Sequence, residues 1–224
     1  MTIPFTIAAA VLAGLIVSPV LLYIAPRLMT HRLENQAPPP GPQLLVPVAG
    51  PFLMNPPGRR YWLLLFEVTL AFFFGALAYR LGPGKHLLIA LFFTGLLALI
   101  SVIDLEHRLV LNILSLPGLV AAIALSPLWV GLLSSIEGAA AGFALFTALT
   151  VIGRGRLGFG DAKLAAVIGA MRGFPGVLGA LYVGVLLGGV AALVYLVVLR
   201  RGRKDYFAYA PYLAAGAVIA FLFI

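Results

Sequence analysis

The feature that most constrains this chain is a succession of apolar runs, each close to 20 residues long, separated by short charged or glycine- and proline-bearing breaks. Crossing ~30 Å of hydrocarbon as an α-helix takes about 20 apolar residues. Runs fall near residues 4–26, 61–80, 86–103, 109–127, 131–152, 162–173, 175–199 and 208–224. The fold class predicted is therefore an all-α polytopic membrane bundle of about eight transmembrane helices. Segment 162–173 is the short one. A half-length helix is tolerated in a bilayer only where its neighbours shield its ends.

Composition excludes most other classes. Of the 224 residues, 62% are hydrophobic and 10% charged, against about 25% charged in soluble chains. A soluble enzyme, a nucleic-acid binder and a disordered protein all need more polar surface. The excess of fifteen Lys and Arg over seven Asp and Glu then marks cytoplasmic loops and not a nucleic-acid partner. With no cysteine in the chain, disulfides, thiolate catalysis and cysteine-based zinc sites are excluded.

The chain reads as three stretches: a first transmembrane helix over 1–26, a polar, proline-rich cytoplasmic loop over 27–60, and a membrane-embedded core over 61–224. No basic residue precedes the first apolar run, so that run reads as a retained span and not a cleaved signal. The loop contains Pro38-Pro39-Pro40 and Pro56-Pro57 and is too short for an independent core. Starting outside and alternating over eight crossings places Arg27, Arg32, Arg59, Arg60, Arg108, Arg154, Arg156, Lys163, Arg200, Arg201, Arg203 and Lys204 inside. Only Arg80, Lys85 and Arg172 fall outside. The positive-inside rule supports that orientation. Small residues are dense in 138–192, as at Gly138, Gly142, Gly184, Gly188 and Gly189, a pattern that lets membrane helices pack closely.

An ionisable group within a span is costly to bury and is a functional candidate by default. Glu34 and Asp205 lie in polar loops, and Glu106 stands beside Arg108, which can neutralise it. Glu137 sits near the outer side of its span. Glu67, inside the second span, either pairs with Arg59 or Arg60 or caps a polar network. Asp104 and Asp161 differ from all of these. Asp104 closes one apolar run and Asp161 opens another, at one depth in the eight-span topology. Two aspartates at one depth can share a proton and hold a water between them. One then acts as general base on the water, and the other polarises a scissile carbonyl and protonates the departing amine. Gly158 and Gly160 precede Asp161 and, by allowing positive φ and lacking a Cβ, let a peptide backbone approach the acid. Lys163 is either a counter-charge tuning Asp161 or a side chain reaching back to the interface. His31, His86 and His107 form no metal-ligand pattern. On these residues alone, a proton-coupled transporter using the paired acids remains a rival to a protease.

The segment Ile103-Asp104-Leu-Glu-His-Arg-Leu-Val-Leu-Asn112, with Leu114-Ser-Leu-Pro117-Gly118-Leu119, resembles the first catalytic motif of the prepilin peptidases. Gly158-Phe-Gly-Asp161-Ala-Lys163-Leu164 resembles their second, of the form G-x-G-D-x-K-L. Tyr61 to Glu67 is similar to the start of the family's second span, and Ala210-Pro211-Tyr212-Leu213 to its C-terminal segment. The resemblance implies a membrane aspartic endopeptidase with Asp104 and Asp161 as the catalytic pair. Glu67 becomes a structural or substrate-facing polar position, and Gly158, Gly160 and Lys163 supporting residues. It implies substrates that are type IV prepilins or type II secretion pseudopilins, with a basic leader and an apolar helix. Cleavage would follow glycine at the cytoplasmic face of the bacterial inner membrane, with no metal or organic cofactor needed for hydrolysis. A presenilin-like intramembrane protease shares G-x-G-D and is the neighbouring alternative. Leu111 stands where the family has proline. Bifunctional members also N-methylate the mature pilin from S-adenosylmethionine and carry a longer loop, often with two Cys-x-x-Cys pairs. Loop 27–60 has neither the length nor the cysteines, so the product is expected to leave unmethylated.

Overall fold

The computed structural model describes residues 2–29, 57–153, 158–197 and 208–223, and these are helical almost throughout. Eight α-helices follow in chain order among the described residues: α1 (Thr2–Met29), α2 (Pro57–Leu81), α3 (Lys85–His107), α4 (Asn112–Leu125), α5 (Leu132–Ile152), α6 (Phe159–Arg172), α7 (Gly176–Val197) and α8 (Ala210–Phe223). A 3₁₀ turn, Ser126–Leu128, extends α4. α1, α2, α3, α5 and α7 are long and apolar enough to cross a bilayer. The chain is thus a multi-pass membrane protein.

Sequence reading marks one short helix, and the structure has three. α4, α6 and α8 are each 14 residues, about 20 Å at 1.5 Å per residue. For α4 the reason is local. The apolar run begins at Leu109, but the chain stays non-helical until Asn112, and the helix tightens to 3₁₀ at Ser126-Pro127. Hydropathy registers apolar side chains whether or not the backbone carrying them is helical. At the loop 27–60, α1 continues to Met29 and α2 begins at Pro57, while residues 30–56 lie outside the described residues.

The chain divides into two compact units, residues 1–102 and 103–224, with α3 running from the first into the second. In the first unit α1 packs along α2. Gly14 allows the contact, since a Cβ there would lie 2.7 Å from the Cα of Ala71. Glu67 and Ser18 are fully buried in this unit. Buried hydroxyls of α3 bond within their own helix, Thr94 to the Ala90 carbonyl at 2.7 Å and Ser101 to the Leu97 carbonyl at 2.7 Å, which satisfies them without a neighbour.

In the second unit α6 is the central element, packed against α4, α5, α7 and α8. Eleven of its fourteen residues are buried, which is why so short a helix with charged ends is compatible with a membrane. Its closest partner is α5. A Cβ on Gly138 would collide with the Gly169 carbonyl, one on Gly169 with the Gly138 carbonyl, and one on Gly142 with the Ala165 carbonyl. The two backbones meet at an i, i+4 pair of small residues on each helix. Ser135 Oγ adds a hydrogen bond to the Ala170 carbonyl at 2.8 Å across the same seam. α7 and α8 meet in the same way at Gly184 and Gly216. The small-residue stretch read from 138–192 is therefore the packing seam of this unit.

Candidate active site

Asp104 lies in the last turn of α3, and Asp161 in the first turn of α6. Both belong to the second unit, and they are 5% and 9% exposed. The negative charge of Asp104 acts directly on Asp161, so the fold brings together the two acids singled out from sequence. Like charges close together in a buried site resist simultaneous ionisation.

Each carboxylate is anchored by backbone. At Asp161 the anchor is local: its own N–H donates to the Gly158 carbonyl at 3.0 Å, and the Gly158 N–H donates to Asp161 Oδ2 at 3.3 Å. This reciprocal pair caps the helix. At Asp104 the anchor comes from 106 residues away, because the Ala210 N–H donates to its Oδ2 at 3.0 Å in a buried contact. The Tyr209 N–H is a second backbone donor to the same carboxylate. These amides stand at the N-terminus of α8, where helical N–H groups lack intrahelical partners and favour an anion. The Tyr209 ring packs beside Phe146, with centroids 6.1 Å apart, and over Gly188, where a Cβ would come within 2.5 Å of the ring. The charge of Asp161 acts on its phenol group.

Past Asp104 the helix ends abruptly. The Arg108 N–H closes the last turn on the Asp104 carbonyl at 2.7 Å, and Arg108 itself takes φ +55°. That left-handed conformation costs a non-glycine residue about 1–2 kcal/mol, and it turns the chain into Leu109–Leu111. The Arg108 charge acts on Asp104. Glu106 approaches His107 Nε2 at 3.9 Å, an ion pair only when the imidazole is protonated.

The supporting residues take roles that differ from those read in the sequence. Gly158 has φ −77° and Gly160 is helical, so neither uses the positive φ that motivated their selection. Gly160 is required instead by contact, because a Cβ there would lie 2.9 Å from Val110 Cβ. A Cβ on Gly158 would make ordinary contact, at 3.8 Å, with Asp161 Oδ2 and the Gly160 amide, so a small side chain there would rest on the carboxylate. Lys163 donates from Nζ to Asn112 Oδ1 at 2.8 Å on the exposed side. Its partner is an amide at the start of α4, and not Asp161. That bond ties the first turn of α6 to the segment leading away from Asp104. Glu67 lies in α2, in the first unit.

Tyr209 and Ala210 are the contributors that sequence reading missed as donors. The Ala210-Pro211 step is a helix-start signal, but only tertiary structure says which acid a helix start will meet.

Two buried aspartates thus stand at helix ends within one unit of a multi-pass helical bundle. Residues 91–197, which include both acids, match the family model described as "Type IV leader peptidase family". The chain is 35% identical over 163 residues to the prepilin leader peptidase/N-methyltransferase of Bacillus subtilis, covering 70% of this chain and 64% of the relative. The protein of the same name from Xanthomonas campestris is 32% identical over 176 residues, covering 70% and 58%. That from Myxococcus xanthus is 33% identical over 146 residues, covering 62% and 43%. The chain thus spans under two thirds of the length of the curated relatives it matches. No solved structure matches it.

Proposed function

We propose that this chain is a membrane aspartic endopeptidase that removes the basic leader from type IV prepilins or type II secretion pseudopilins. The observation that carries the reading is the burial of Asp104 and Asp161 in one unit, each carboxylate fixed by backbone amides. A shared proton lets one carboxylate deprotonate a water while the other polarises the scissile carbonyl. As the tetrahedral intermediate collapses, the protonated partner passes its proton to the leaving amine. Gly158 carries no side chain against Asp161 Oδ2, which favours the approach of a peptide backbone. Substrate class follows from the family and from position: a small protein with a basic leader and one apolar helix presents its scissile bond at the inner membrane interface.

The orientation proposed has the N-terminus outside and the aspartates at the cytoplasmic face of the bacterial inner membrane. It rests on the charge bias of the loops. Reporter fusions after Arg60, Arg156 and Lys204 should report cytoplasm, and fusions near Gly84 and Trp129 the outside. An outside signal after Lys204 with an inside signal after Arg156 would mean that α6 does not cross.

S-adenosylmethionine enters only if the chain is also a methyltransferase. The largest candidate wall for its pocket, loop 27–60, lies mostly outside the described residues. Its lack of cysteine and its proline content favour a product without a methyl group. Co-expression with a prepilin, followed by the mass of the mature product, tests both activities. Loss of the leader with no added methyl is the expected result. An intact prepilin contradicts the peptidase reading, and one extra methyl on the new terminal amine contradicts the second.

A further inference from the structure

The end of α6 opposite to Asp161 carries a second polar site. Arg172 closes the helix, 11 residues and about 17 Å from Asp161. It is 9% exposed. Its Nε is fully buried and has no hydrogen-bond partner, and no acidic side chain among the described residues makes an ion pair with it. The guanidinium lies over the Phe221 ring, 4.7 Å from the centroid, and Trp129 packs edge-on against the same Phe221 ring, with centroids 5.4 Å apart. Cation–π contact offsets part of the desolvation of a guanidinium, but it leaves the N–H of Nε unmatched, and a buried unmatched donor is destabilising.

The same guanidinium faces the start of another helix. A Cβ on Gly176, the first residue of α7, would lie 3.9 Å from both Nε and Nη2 of Arg172. At that start the Val177 N–H bonds the Gly173 carbonyl at 2.8 Å and the Leu178 N–H bonds the Pro175 carbonyl at 3.0 Å. The Gly176 N–H has no such partner. A helix N-terminus carries partial positive charge and disfavours a neighbouring cation. Two positive groups, a buried guanidinium and a 22-residue helix start, therefore converge. The connection is held in place: Phe174 N–H bonds the Ser134 carbonyl at 3.0 Å, Ser134 Oγ bonds the Phe174 carbonyl at 3.1 Å, and Gly173 takes φ +65° against the Ser134 hydroxyl.

We propose that Arg172 and the N-terminus of α7 form a binding site for the phosphate of an anionic phospholipid. A phosphate oxygen accepts from the guanidinium fork and the Gly176 amide together. Lipid is the source favoured by what flanks the site. Leu178 and Tyr182 stand one turn apart on α7, 48% and 66% exposed, and offer an apolar track for an acyl chain beside the headgroup. Phe174 is also exposed. Trp129, an aromatic of the kind enriched at the membrane–water boundary, sets the depth.

The test uses the full chain purified in detergent. Phosphatidylglycerol is titrated against wild type and Arg172→Gln, with bound lipid counted by native mass spectrometry and amide exchange followed at Gly176. The expected result is one retained lipid in wild type, slowed exchange at Gly176 on adding lipid, and at least tenfold weaker retention in the variant. Equal retention in the two proteins overturns the proposal. Should Arg172→Gln fail to fold, the wild-type measurement stands alone: an unchanged Gly176 exchange rate across the titration overturns it. A parallel titration with inorganic phosphate separates the sources, since protection by phosphate but not by lipid overturns the lipid assignment. None of these readouts depends on peptidase activity, so their outcome is independent of the function proposed above.

Discussion

The two units of the chain bury polar groups by different means. In the first, α1 and α2 pair along their length, and α3 satisfies its hydroxyls within its own turns. In the second, short helices end inside the unit, and the two buried carboxylates are met by backbone amides at helix starts, Asp161 by that of its own helix and Asp104 by that of α8. A helix interior has no free amides to offer, whereas the first turn of every helix has several. The half-length helices of the second unit therefore supply the donors that buried carboxylates require, within reach of a membrane interface.

The largest effect that sharpens this contrast should come from bulk at the α5–α6 seam. Gly169→Leu or Gly138→Leu drives a side chain into the facing backbone, and little or no folded protein should survive extraction in detergent. Overpacking usually costs about 1–3 kcal/mol where neighbours can shift, but here the obstructing atoms are main chain. Gly95→Ala, in α3, meets nothing within 4 Å and should be neutral or stabilising by up to about 1 kcal/mol, as expected for glycine replaced within a helix. If the two replacements melt alike, the second unit is not held by close backbone contact.

Next comes the amide donated to Asp104. Ala210→Pro removes that N–H while proline remains compatible with the first helical position. A hydrogen bond to a charged group contributes about 1.5–3 kcal/mol, which corresponds to roughly a ten- to hundredfold loss of cleavage with the thermal midpoint little changed. Wild-type cleavage by this variant would remove α8 from the site.

Lys163→Met should be milder. Its bond to Asn112 is exposed, and exposed charged contacts contribute on the order of 1 kcal/mol or less. A severalfold fall in cleavage is expected, and combining it with Asn112→Ala should add little, because both changes break the same bond. Additive losses would show that Lys163 acts elsewhere. Ser135→Ala, which loses one neutral hydrogen bond across α5 and α6, should cost a comparable amount, about 1 kcal/mol, read in thermal unfolding with the smallest change in cleavage.

All eight helices were legible as apolar runs, because lipid demands the same property of every span. Their lengths were less so: α4 and α8 read as full spans, since Leu109–Leu111 and the residues around Ser126 are apolar or small without being helical. Asp104 and Asp161 stand out in the sequence through their motifs and their places at the ends of apolar runs. Gly158 and Gly160 have ordinary φ values; a Cβ on Gly160 would crowd Val110, and one on Gly158 would touch Asp161 Oδ2. The amides of Tyr209 and Ala210 could not be read, as every residue but proline carries one and only the fold selects which is used. Arg172 was read as a charge of an outer loop. Its burial depends on Phe221, 49 positions away, which no local pattern announces.

The central claim is that Asp104 and Asp161 work as one pair. Its most direct test is cleavage of a co-expressed prepilin by Asp104→Asn, by Asp161→Asn and by the double variant, at matched membrane levels, read as the mass of the product. Each single variant should leave the leader intact, and the double variant should be no worse, because one carboxylate cannot serve as both acid and base. Near-normal cleavage by either single variant would contradict the account.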